Sequence, residues 1–223
     1  MARRCNGFLS NETLTLTPSI VLEDFMFGCG SRPRDRDYHR RGSLSIASQG
    51  YSSINGTFSY CLPSLNGNTG FLTFGSQQEQ SGLVQFTPML HNLTAPSYYF
   101  VDLIGLSSVF RDVGTVLDTG TVVTYLPEAA YLALGREFDA WVRRYAASEI
   151  KIPKVALLFG GGVTLELPPT GILYYIGSSK YCLAFAATKE TGEFSVIGNV
   201  QQSSTEVIYD LGRQMVGFVA GSC

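Results

Sequence analysis

The most regular feature of this chain is a repeated alternation of apolar and polar positions in short runs. Thr13-Leu14-Thr15-Leu16 closes a run over residues 7–16, and its period of two predicts a strand with one buried face. Pro18 ends that run. Residues 21–29 predict a second strand, with Phe25-Met26-Phe27 running into a Gly28-Cys29-Gly30 turn. Strand-like runs recur between turn signals at 57–62, 70–74, 84–87, 98–106 and 114–117. This spacing predicts an antiparallel β fold rather than strands alternating with crossover helices.

One helix interrupts the pattern. Pro127-Glu128-Ala129-Ala130 supplies a first turn, and Leu134, Phe138, Trp141, Val142 and Tyr145 follow at three- and four-residue spacing, predicting one buried stripe. Strands resume after Pro153 at 155–159, 163–167, 172–175 and 181–185, then at 194–197, 205–210 and 216–218. The triplet Gly160-Gly161-Gly162 lacks the Lys-Ser/Thr of a phosphate-binding loop, so it predicts a hairpin turn.

Composition agrees with a folded, β-rich chain. Of 223 residues, 45% are hydrophobic and 15% charged, enough to bury a core, and 24 glycines with 12% aromatics suit strands joined by tight turns. A net charge of -2 offers no broad attraction to nucleic acid or to an anionic membrane, and neither partner is expected. No run approaches the roughly 20 apolar residues of a membrane-spanning helix. The arginine-rich stretch 31–41, holding Asp35, Asp37 and His39, reads as a solvated loop, since it lacks the interleaved aromatics of a nucleic-acid site.

Met1-Ala2-Arg3-Arg4 has no apolar region behind it, so no secretory signal peptide is expected in the sequence as written. Cys5, Cys29, Cys61, Cys182 and Cys223 lie far apart without a C-x-x-C pair, which argues against a zinc site and mildly for disulfides of undetermined pairing. Their odd number leaves at least one without an intrachain partner. Sequons at Asn11, Asn55 and Asn92 add to the tilt toward an oxidising compartment.

Candidate chemistry concentrates in Gly114-Thr115-Val116-Leu117-Asp118-Thr119-Gly120-Thr121: a carboxylate in a tight turn after an apolar strand, followed by two hydroxyls and a glycine. Asp-Thr-Gly alone is weak, because Asp and Gly are ordinary turn residues. His39 and His91 are the only histidines, and both read as surface residues rather than parts of a Ser-His-Asp or Cys-His site. Tyr60 and Tyr181 each precede a cysteine; as strand aromatics they read as packing residues.

In context the chain resembles the pepsin-like aspartic proteases, and most closely their plant nepenthesin-like branch. Residues 116–121 are similar to that family's second catalytic loop. Phe194-Ser195-Val196-Ile197-Gly198-Asn199-Val200-Gln201-Gln202 is similar to its late strand, whose Ile197-Gly198 element packs against that loop. Phe27-Gly28-Cys29-Gly30, Phe58-Ser59-Tyr60-Cys61-Leu62, Gly70-Phe71-Leu72-Thr73-Phe74-Gly75 and the closing residues 206–223 extend the resemblance over nearly the whole chain. It implies a mostly β, pepsin-like fold with an incomplete N-lobe over 1–95 and a nearly complete C-lobe over 96–223.

It also implies an aspartic endopeptidase acting on polypeptides without cofactor or metal, reached through the secretory pathway. Two aspartates, one per lobe, would share a proton and activate water, because like charges held close cannot both ionise cheaply. Asp118 matches the second of them, with Thr119 bracing the loop, Gly120 permitting the turn and Thr121 able to bond near the carboxylate. No second Asp-Thr/Ser-Gly occurs, and a Cys-containing segment before Lys151 is missing, leaving Cys182 without the family's partner. The chain is therefore expected to be a shortened copy, inactive alone, with apolar faces exposed. The alternative is a non-catalytic, inhibitor-like relative that holds a protein on the same fold. Oligomeric state is left open; a homodimer joining two Asp118 loops is disfavoured, because strands of 7–95 would occupy the surface it needs.

Overall fold

The computed structural model describes residues 7–30, 42–64, 69–75, 84–93, 95–96, 98–106, 114–144, 152–178, 180–189 and 193–223. The arginine-rich stretch, Cys5 and Tyr145 lie outside them. The chain opens with the antiparallel hairpin β1 (Gly7–Thr17) and β2 (Ile20–Gly30), followed by the short helix α1 (Ile46–Gln49). Gln49 ties the two together by imitating a neighbouring strand: its Nε2 donates to the Met26 carbonyl at 2.8 Å and its Oε1 accepts from the Met26 N–H at 2.8 Å. Strands β3 (Thr57–Cys61), β4 (Phe71–Phe74), β5 (Gln85–Leu90), β6 (Phe100–Val101), β7 (Leu103–Leu106), β8 (Thr115–Leu117) and β9 (Thr124–Leu126) lead to the long helix α2 (Glu128–Arg144). After it come β10 (Ala156–Phe159), β11 (Val163–Glu166), α3 (Pro169–Ile172), β12 (Leu173–Gly177), β13 (Lys180–Leu183), β14 (Phe185–Ala187), β15 (Ser195–Ile197), α4 (Asn199–Gln202), β16 (Thr205–Asp210) and β17 (Met215–Ala220).

Ten of these strands form one sheet, in the order β14-β9-β15-β8-β6-β5-β17-β16-β3-β4. Alternation sets its faces: along β16, Thr205, Val207 and Tyr209 are buried while Glu206, Ile208 and Asp210 are half-buried. Tyr209 gathers Phe58 (ring centroids 4.7 Å apart, stacked) and Tyr99 (5.0 Å), and Phe159 stacks on Phe218 at 4.8 Å. A three-stranded sheet, β11-β10-β7, covers part of this core. Its β10–β11 connection is the predicted glycine turn, where Gly161 and Gly162 take φ of 80° and 81°.

The mostly β reading holds, with two corrections. The sheet is not wholly antiparallel, since β14 runs parallel to β9 and β15 parallel to β8. Parallel neighbours need long connections, and α2 lies in the one between β9 and β14. On α2 the face packed on the core is Ala130, Tyr131, Leu134 and Phe138, whereas Val142 is 52% exposed, because the helix runs past the edge of the core. Tyr181 packs across the β12–β13 hairpin rather than in the core: it stands 61% exposed, its ring 5.2 Å from that of its register partner Tyr175. Apolar surface is also open on β1, with Phe8 68% and Leu9 61% exposed.

Candidate active site

The strand order explains how Asp118 is presented. β8 and β9 are consecutive in sequence, yet β15 lies between them, parallel to β8 (Val116↔Val196, Leu117↔Ile197) and antiparallel to β9 (Val196↔Tyr125). Residues 118–123, joining β8 to β9, must therefore cross the end of β15, and they cross at Gly198. A Cβ on Gly198 would lie 2.5 Å from the Val122 carbonyl oxygen and 2.6 Å from Val123 backbone atoms, so only glycine admits the crossing. The loop is then bonded to what it crosses. The Asp118 N–H donates to the Ile197 carbonyl at 3.0 Å, Asn199 N–H to Thr121 at 2.7 Å and Val200 N–H to Val122 at 3.1 Å. Two donors of the first turn of α4 are satisfied by the loop itself.

Within the loop the half-buried Asp118 carboxylate accepts on both oxygens. Gly120 N–H reaches Oδ1 and the Thr121 hydroxyl reaches Oδ2, each at 2.9 Å. Donors on separate oxygens fix the plane of the carboxylate and aim it along one direction. Thr119 is exposed, and its carbonyl accepts from Asn199 Nδ2 at 3.2 Å. The structure thus brings Asp118, Gly120, Thr121, Ile197 and Gly198 together, with Thr119 at the rim contributing its backbone.

In the sequence, Gln201 and Gln202 carry no sign of a role at this site. Both are buried, 1% and 2% exposed, and both are fully engaged. Gln201 Nε2 donates to the Gly171 and Ala184 carbonyls at 2.9 and 2.8 Å, while its Oε1 accepts from the Thr124 hydroxyl at 2.8 Å; that hydroxyl accepts from the Gly198 N–H at 3.1 Å. Gln202 Nε2 donates to the Ile197 and Gly198 carbonyls at 2.8 and 3.2 Å, and its Oε1 accepts from the Tyr60 hydroxyl. Each lost bond here would strand a buried polar group, at a cost of roughly 1–3 kcal/mol.

Other candidates fall away from this cluster. His91 is exposed after β5, and His39, Asp35 and Asp37 lie outside the described residues. Cys61 and Cys223 form a disulfide, while Cys182 is free and exposed. Among the described residues no group of three or more His, Cys, Asp or Glu is arranged to hold a metal ion, and no helix is long and apolar enough to cross a membrane.

Residues 2–76 match the family described as xylanase inhibitor N-terminal, and residues 138–220 match xylanase inhibitor C-terminal. An aspartyl protease family protein of Arabidopsis thaliana is 36% identical over 97% of this chain and 52% of its own length. Nepenthesin-2 of Nepenthes gracilis is 28% identical over 97% of the chain and 58% of its own length. The chain thus spans about half the length of the curated relatives it matches. Among solved structures, soybean basic 7S globulin superposes with a TM-score of 0.73 at 20% identity, covering 95% of this chain and 67% of that one. The structure of edgp gives 0.78 at 16%, covering 96% and 70%. With two consecutive family matches, protease relatives along nearly its whole length and the same fold, the chain belongs to the pepsin-like aspartic protease family, in its plant branch.

Proposed function

We propose that the chain carries one half of an aspartic endopeptidase site, with Asp118 as one of two carboxylates that share a proton and activate water against a peptide carbonyl. The observation that carries the reading is the Asp118 carboxylate, held on both oxygens by Gly120 N–H and the Thr121 hydroxyl in a loop pinned to β15. A carboxylate fixed in plane and direction loses little orientation on meeting a second carboxyl and a water. That second group has to come from another such loop, in a longer form of this chain or in another chain, since the 223 residues hold a single Asp-Thr/Ser-Gly. In this reading residues 1–95 belong to the first lobe and 96–223 to the second, and Thr119, Gly120, Thr121, Ile197 and Gly198 support the catalytic loop. The substrate is a polypeptide. The Cys61–Cys223 disulfide supports passage through an oxidising compartment such as the secretory pathway.

A second reading has its own support: both matching families are described as xylanase inhibitor, so the fold can serve to hold a protein instead of cutting one. The test is cleavage of a denatured protein at acidic pH by the purified chain beside Asp118→Asn, with oligomeric state recorded in the same buffer. The catalytic reading expects cleavage wherever a second such loop is supplied, by a longer form or by a partner chain, and expects it to fall on the order of 10^4-fold in the mutant. A folded wild-type chain that cleaves nothing, alone or as part of a longer form, yet retains a protein ligand would establish the second reading.

A further inference from the structure

We infer that Gln202 is a positioning residue for Asp118, and that Tyr60 couples it to the strands of residues 7–95. The inference rests on the reading of Asp118 as a catalytic carboxylate and names what holds that group in place. The Ile197 carbonyl receives two donors, the Asp118 N–H at 3.0 Å and Gln202 Nε2 at 2.8 Å. The same Nε2 reaches the Gly198 carbonyl at 3.2 Å, so one amide aligns both carbonyls at the end of β15, where the Asp118 loop crosses. On its other atom Gln202 accepts from the hydroxyl of Tyr60, 142 residues away on β3.

The chemistry selects glutamine. Two carbonyls require a donor and the Tyr60 hydroxyl requires an acceptor, and a primary amide offers both from one planar group. An ionised Glu would turn an oxygen toward two carbonyls, and Leu would satisfy none of the three partners. Tyr60 is itself confined, with its ring 6.2 Å from that of Tyr209 and β3 paired to β16. A displacement of β3 relative to β15 therefore reaches the Asp118 backbone through two side-chain bonds and one carbonyl. Since the fully engaged amide is buried, water does not offer a ready replacement for any of these bonds.

The test is NMR on the folded chain: amide hydrogen exchange at Asp118 and at Val207 in β16, with the Asp118 carboxyl titration followed by its carbon shift. Variants are Tyr60→Phe and Gln202→Leu, with Ser203→Ala as a control that removes only the bond from the Ser203 hydroxyl, just after α4, to the Asn199 carbonyl within it. The expected result is Asp118 exchange accelerated about tenfold in both test variants, a displaced Asp118 titration midpoint, and Val207 protection retained. Ser203→Ala should leave both Asp118 readouts at their wild-type values. If Asp118 is unchanged in Tyr60→Phe, or if Asp118 and Val207 accelerate together, the positioning role is overturned. Should Gln202→Leu fail to fold, Tyr60→Phe decides alone. Because these readouts need no turnover, a chain that shows the coupling but never cleaves, alone or as part of a longer form, would retain the positioning role and lose the proteolytic reading. A chain that cleaves with Asp118 indifferent to Tyr60 would do the reverse.

Discussion

Gly198 is the residue on which the presentation of Asp118 depends most directly. Its missing side chain is the space through which Val122 and Val123 pass, and an added methyl would meet backbone atoms that no rotamer change can move. Gly198→Ala is therefore expected to lower stability by roughly 3 kcal/mol, at the upper end for an overpacked site, and to loosen the Asp118 loop with it. A urea unfolding midpoint measured beside wild type checks the first effect. A midpoint within error of wild type would mean that the crossing can relax, and that the close approach is not what holds the loop. Asp118 itself depends on near neighbours for orientation, through Gly120 and Thr121, and on residues distant in sequence for position, through Ile197 and Gln202.

At the scale of elements, the threading of β15 between β8 and β9 turns a run of ordinary strands into a site. Without it, Asp118-Thr119-Gly120 would be a turn like others in the chain. Helix α2 shows how far a periodic pattern can be trusted. Leu134 and Val142 belong to one stripe by spacing, but the helix rests on the core through Ala130, Tyr131, Leu134 and Phe138 and leaves Val142 exposed. Leu134→Ala is expected to cost roughly 1–2 kcal/mol, less than a full core truncation because the side chain is half-buried. Val142→Ala should stay within about 0.5 kcal/mol of wild type. Thermal or urea melts of the pair give the contrast, and equal losses would mean that the outer half of α2 packs more closely than its exposure indicates.

For the molecule as a whole, the ten-stranded sheet joins early and late sequence. The C-terminal strands β16 and β17 lie between β3 and β5, so the last residues of the chain complete a sheet begun near residue 57. The Cys61–Cys223 disulfide closes the same arrangement across a sequence separation of 162. Cross-linking so long a loop restricts the unfolded chain, and Cys223→Ser is expected to lower stability by roughly 2–5 kcal/mol. The urea midpoint of the oxidised protein, compared with that of the variant, measures it. If reductant leaves the wild-type midpoint where it was, the sheet rather than the bond carries the closure.

Much of this was legible in the order of residues. Alternation at 205–210 located β16 with its boundaries, the glycine triplet located a hairpin, and Asp118-Thr119-Gly120 with Ile197-Gly198 singled out both sides of the Asp118 loop, because these signals are local and each is written within a few consecutive positions. What the sequence could not decide is everything that depends on which strand lies beside which. The parallel pairs around β15, the exposure of Val142 and Tyr181, the partner of Cys61 and the burial of Gln201 and Gln202 all follow from contacts between residues far apart in the chain. A glutamine reads as a surface residue until the fold surrounds it with carbonyls and a hydroxyl that only an amide can satisfy; composition and period carry no record of those neighbours, and tertiary structure alone supplies them.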